Sequence, residues 1–123
     1  MILLMQNGEF IIQIYQAIDR KDSRGMMQYL TDDSVFRFAN IPQVEGRDNI
    51  TAFLDGFFAS IKSLRHTGIE YWNSGNAWFV TGNVTYTRHD GSTLGVPFAV
   101  LLKMKAELVR NYLIFVDASE LYK

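Results

Sequence analysis

The chain reads as an α+β domain, with apolar helical segments first and a long antiparallel sheet after them. Residues 62–72, 77–88, 93–105 and 108–117 form four consecutive runs rich in β-branched and aromatic side chains. Asn73-Ser74-Gly75-Asn76, Asp90-Gly91 and Lys105-Ala106-Glu107 separate them, which is hairpin punctuation. Upstream, apolar residues recur at helical spacing instead. Helices followed by a block of strands indicate α+β architecture rather than a parallel doubly wound sheet. A twisted sheet of this kind has an apolar face to cover, and the upstream helices are the available cover.

Along the chain, Asn7 is placed to cap a first helix, with Glu9 in its first turn where the helix dipole favours an acid. Phe10, Ile11, Ile14, Ala17 and Ile18 carry the helix to about Arg20. Ser23 is the expected cap of a short second helix bearing Met26, Met27 and Leu30, which Thr31-Asp32-Asp33 should break. Residues 34–40 alternate as a short strand, with Phe36, Phe38 and Asn40 on one face and Pro42 ending it. Gly46-Arg47-Asp48 opens the strongest helix, where Ile50, Phe53, Leu54, Phe57, Phe58 and Ile61 line one face.

Composition bounds the function. At 123 residues, 48% of them hydrophobic, the chain is expected to be one domain spanning residues 1–123. A net charge of −1 gives no electrostatic reason to bind nucleic acid or an anionic membrane. Cysteine is absent, which removes disulfide and thiolate chemistry. The apolar opening Met1-Ile2-Leu3-Leu4-Met5 is too short for a signal peptide or a membrane span, so a cytoplasmic location is expected. Two histidines and scattered acids show no metal-ligand spacing, and no glycine loop suits a phosphate; metal and cofactor are expected to be absent.

Four stretches together resemble a known family. Tyr29-Leu30-Thr31-Asp32-Asp33-Ser34-Val35, Val44-Glu45-Gly46-Arg47-Asp48-Asn49-Ile50, Arg65-His66 and Val116-Asp117-Ala118-Ser119-Glu120-Leu121 resemble the SnoaL-like branch of the nuclear transport factor 2-like superfamily, over about residues 9–121. The resemblance implies a cone-like domain, a curved antiparallel sheet wrapped around the long helix, with a cavity open at one end. It also implies homodimerisation through the outer sheet face.

Catalytic groups of better-defined branches are missing. Ketosteroid isomerases would place an aspartate base at Phe38, a phenol near Ile14 (Tyr15 is one step off) and an acid within Phe98-Ala99-Val100. Limonene-epoxide hydrolases would need carboxylates around Gly82-Asn83-Val84. His66 and Asp117 remain as candidate proton carriers, since histidine exchanges protons near neutral pH and Asp117 resembles the late-strand acid of SnoaL-type cyclases. Tyr15, Phe38, Asn40, Phe57, Trp72, Tyr86 and Phe98 are expected to line a pocket. His89 and the acids Asp32 and Asp33 read as turn residues, and Lys103, Lys105 and Arg110 as a solvated sheet edge.

Two functions follow. One is cofactor-free acid/base chemistry (cyclisation, isomerisation or dehydration) on an apolar, ring-bearing metabolite. The other is a non-catalytic ligand-binding or dimer-forming accessory module. A protein-interaction module like the transport factor itself is a third, and it predicts a large apolar patch outside the sheet.

Overall fold

The computed structural model describes residues 8–123, so the expected Asn7 cap lies outside the described residues. Helix α1 (Glu9–Asp19) and the one-turn α2 (Ser23–Met27) precede strands β1 (Leu30–Phe38) and β2 (Val44–Glu45). Helix α3 (Arg47–Ala59) then leads into β3 (Ser63–Ser74), β4 (Ala77–Thr87), β5 (Thr93–Lys105) and β6 (Leu108–Val116). Spatially the strands run β2-β1-β6-β5-β4-β3 in one sheet.

The sheet is mixed rather than wholly antiparallel. β3 to β6 are joined by tight turns and must alternate in direction, whereas β1 reaches the far side of β6 by a long connection and pairs with it in parallel. This order also corrects the expected edge. β5 and β6 are interior strands, and Arg110 is not solvating an edge but pairs with Asp33 across 3.3 Å.

Alternation decides which side chains face the helices. Trp78, Val80, Val84 and Tyr86 of β4 point inward with Phe98, Val100, Leu102 and Met104 of β5, all buried. Ile11, Ile14 and Ile18 of α1 and Ile50, Leu54 and Phe58 of α3 press onto them. Burying each such side chain contributes roughly 1.5–3 kcal/mol, so this inner face dominates stability. Ile61 lies two residues past the end of α3 yet is 1% exposed, sealing the turn into β3.

Two local expectations are corrected by side-chain chemistry. Asp22, not Ser23, caps α2: its Oδ1 accepts from the Gly25 N–H at 2.9 Å, while the Ser23 hydroxyl donates to Asp55 at 2.6 Å. Thr31-Asp32-Asp33 does not interrupt the chain between helix and strand; it lies within β1, which starts at Leu30. The register to β6 shifts between Leu30 and Val35, and hydroxyls fill the gap left in the ladder. The Ser34 hydroxyl, fully buried, donates to the Val109 carbonyl at 2.7 Å, and Thr31 bonds Asp33 at 2.9 Å.

Arg47 completes that irregularity. Its Nε and Nη2 both donate to the Leu30 carbonyl, the former at 3.1 Å, and its Nη1 sits 2.8 Å from Asp32. The Asp32 side chain is 93% exposed, so solvent screens the ion pair and the two bonds to the carbonyl matter more. Arg47→Met should therefore lower unfolding free energy by about 1.5–3 kcal/mol, and Asp32→Asn by less than about 1 kcal/mol. Urea denaturation of the two variants checks the difference.

Candidate functional site

The inner face of the sheet, α1 and α3 enclose a hollow of about 50 Å³. Rings fill most of the space between the layers. Phe36 stacks obliquely on Tyr112 (ring centres 5.4 Å apart) and on Phe53 (5.7 Å), and Phe38 on Phe57 (5.2 Å). Phe98 reaches the inner end because it lies opposite Gly82, where any Cβ would stand 2.9 Å from its ring. A ring-sized ligand needs a site of roughly 300 Å³ or more, so the closed interior admits little beyond water.

His66 is the polar side chain of this hollow that sequence singled out, and its partner is a residue that reading missed. The imidazole Nδ1 lies 2.6 Å from Asp19 Oδ1, and the His66 backbone N–H donates to Asp19 Oδ2 at 3.0 Å. A carboxylate only accepts, so Nδ1 carries the proton and Nε2 is the free, basic nitrogen. Among the described residues, no hydrogen bond engages Nε2. The ring is packed between Tyr15 (centres 4.7 Å apart) and the edge of Phe98 (5.2 Å). Carboxylate, oriented imidazole and free nitrogen form the arrangement of a general base or acid.

Asp117 does not join it. Its carboxylate is exposed and accepts from the Ser119 N–H at 3.1 Å, a turn that bends the chain after β6. Hydrogen bonds to the Ser119 side chain and backbone hold the carboxyl below its ordinary value of 3.8. The expected His66–Asp117 pair is therefore corrected to His66–Asp19. Asp19 lay one helical turn beyond Tyr15, on the same helix face, which is the signal that would have found it.

The other candidates divide between three places. Tyr15, Phe38, Phe57, Tyr86 and Phe98 line the hollow as expected. Asn40 and Asp117 belong instead to an outer basin of about 570 Å³ at the wide end, floored by Phe38, Phe57 and Val116 and walled by Leu121 and Tyr122. Asn40 misses the inner face because Ala39, at φ 55°, turns the chain once β1 has ended. Trp72 is on the outside of the sheet, 52% exposed. An extra residue at the β3 bulge between Thr67 and Glu70 reverses the alternation beyond His66, so Tyr71 packs inward on Trp78 and Trp72 outward.

Two buried phenols complete the inner end. Tyr15 (4% exposed) and Tyr112 (1%) both line the hollow. Burial pushes the Tyr15 hydroxyl well above its ordinary 10.0, and the nearby Tyr112 phenol and Asp19 carboxylate push it further. Burial likewise raises Tyr112 and Tyr86. All three hold their protons at neutral pH and can act as donors. Among the described residues, no cluster of His, Asp and Glu suits a metal ion. No helix there is long and apolar enough to cross a membrane. His89, beside its turn and exposed as expected, places Nε2 2.9 Å from the Ala59 carbonyl at the end of α3.

Comparison with known proteins agrees with this architecture. The family model for the SnoaL-like domain matches residues 11–112. A candidate polyketide cyclase from Xanthomonas campestris pv. campestris superposes with a TM-score of 0.85 at 17% identity, covering 93% of this chain and 92% of that one. An NTF2-like protein of unknown function from Burkholderia pseudomallei K96243 gives 0.85 at 20% identity, covering 94% and 93%. TerC, co-crystallized with polyporic acid, gives 0.82 at 18% identity, covering 94% and 95%. No match was found among functionally curated proteins.

The bidentate role of Asp19 is testable without any ligand. Asp19→Ala leaves a strand N–H and the imidazole Nδ1 without their acceptor, and should cost about 1–3 kcal/mol of stability. ¹⁵N-detected histidine spectra should show His66 passing from one tautomer to a mixture. An unchanged spectrum would refute the assignment.

Proposed function

Because the chain belongs to the SnoaL-like family, we propose that it binds an apolar, ring-bearing small molecule through the wide end of its cone and moves a proton on it without a cofactor. The observation that carries this reading is the His66–Asp19 contact of 2.6 Å, with the free imidazole nitrogen left at the hollow. His66 is the proton carrier and Asp19 its positioning residue; Asp117 shapes the rim. Phe38, Phe57 and Val116 border both hollow and outer basin, so turning the two rings joins the spaces into a site of ligand size. The TerC structure with polyporic acid supports an organic ligand of this order on this fold. Cyclisation, isomerisation and dehydration all need such a proton carrier.

One observation favours the non-catalytic alternative: the closed hollow of about 50 Å³ is far below ligand size. The two readings part on 2-tetralone, an enolisable ring ketone, in deuterium oxide. An acid/base site should accelerate hydrogen exchange beside the carbonyl, and His66→Ala should lose about 10²–10⁴-fold of that rate. Binding seen by tryptophan fluorescence with no exchange above buffer would leave a binding module.

The same proposal includes a cytoplasmic homodimer formed by the outer sheet face. Trp72, Phe79, Leu101 and Leu113 lie side by side across four strands, and Phe115 stands next to them at 60% exposure. An exposed apolar row of this extent is what a second copy would cover. Light scattering should give twice the chain mass of 14.1 kDa for the parent, and the single-chain value for Phe115→Glu. A parent protein already at the single-chain mass would exclude the dimer.

A further inference from the structure

The outer basin of about 570 Å³ carries charge of one sign. Phe38, Phe57, Phe115 and Tyr122 supply rings to its wall, and among the described residues that border it Asp117 alone is charged. The cations that meet the segment after β6 are committed elsewhere. Arg88 donates to the carbonyls of Leu121 at 2.7 Å and Glu120 at 2.9 Å, and Lys123 pairs with Glu120 at 3.1 Å. Hydrogen bonds from Ser119 hold the Asp117 carboxyl below the usual carboxylate range, so it is ionised at neutral pH. The rings are held as well. Ser60 gives its one hydroxyl proton to the Phe57 carbonyl at 2.6 Å, so the Tyr122 hydroxyl is the donor in its 2.7 Å bond to Ser60. Leu121, 1% exposed, anchors the same segment.

We propose that the outer basin receives a protonated amino group of the ligand, which makes the ligand class a ring-bearing amine rather than an acid. The inference rests on the reading of the cone as a site for ring compounds and narrows it. An ammonium group over a ring face is attracted by the π electrons. Here the rings border the same space as an ionised carboxylate, so both attractions act on one cation. A carboxylate in that position would face Asp117 with no described cation on the basin wall to offset the repulsion. Asn40 and Ser119 offer neutral oxygens to the remaining N–H groups of an amine. Phe38, Phe57 and Val116 form the apolar floor on which the ring system of such a molecule rests.

2-Aminotetralin, 2-methyltetralin and tetralin-2-carboxylic acid share one skeleton and differ in charge at neutral pH. Calorimetric titration of the parent protein should rank them amine, hydrocarbon, acid, with the amine at least about tenfold tighter than the hydrocarbon. Asp117→Asn keeps an acceptor for the Ser119 N–H, so it should retain the fold and the affinity for 2-methyltetralin. Its preference for the amine should fall to about threefold or less, the share left to the rings. Tyr122→Leu should lower the preference by about threefold. Glu120→Gln changes the charge of the same segment without bordering the basin, and should leave the preference unaltered. Equal affinity for amine and hydrocarbon in the parent, or an undiminished preference in Asp117→Asn, would overturn the proposal, and 2-methyltetralin binding would still uphold the ring-compound reading. An amine preference that Asp117→Asn removes supports the proposal even where 2-tetralone undergoes no exchange, so the two readings fail separately.

Discussion

One constraint governs this molecule: the single inner face of a six-stranded sheet must be covered by two helices at close-packed density. The sheet supplies alternate side chains from its long strands and from β1, and α1 and α3 supply most of the cover, with Met26 and Met27 of α2 and Leu121 filling in. Interiors at native density leave few voids larger than water. Large rings meet that demand here with few residues, Phe36, Phe38, Phe53 and Phe57 packing on one another. The shape of the cone and the smallness of its hollow therefore have the same origin. Anything that enlarges the site must displace rings that also hold the helices in place.

Against that packing, the polar groups inside are costly unless answered. Asp19 answers two groups at once, a strand N–H and an imidazole, and so converts a helix terminus into an anchor for β3, the outer strand of the sheet. Structural necessity and chemical usefulness coincide there. An acceptor strong enough to hold the strand is also one that fixes the tautomer of the histidine. Tyr15 is different: its ring packs against His66 and Phe98, and its buried hydroxyl has the Tyr112 phenol for a neighbour rather than a charged acceptor.

The fold was legible in the chain because turn chemistry and periodicity both speak locally. Gly91 and Asn73 mark hairpins wherever they occur, and the Ile50–Leu54–Phe58 spacing belongs to a helix in any context. What sequence pattern does not carry is parity across an irregularity. The bulge near Gly68 moved Trp72 to the outside, and the shift in β1 absorbed Thr31 to Asp33 into a strand. Both depend on partners distant in sequence. The role of Asp19 is hidden for a similar reason: the C-terminal end of a helix disfavours an acid, and nothing local shows what holds it there. Its true partner lies 47 residues away. Asp117 stands out as the lone acid in an apolar run, but Ser119, two residues on, claims its carboxylate.

The aromatic wall then bears on whether such a fold binds or reacts. Phe38 stands where the resemblance to ketosteroid isomerases would place a base, and its ring borders both the basin and the hollow. Replacing a carboxylate by a ring at that point removes one proton acceptor and dries the interior. In a drier interior the remaining base is the imidazole, and each hydrogen bond offered to a developing charge is worth more than it would be beside water. On the proposed reading, a ring in place of the strand acid leaves His66 as the proton carrier, with Phe38 and Phe57 standing between the basin and the hollow.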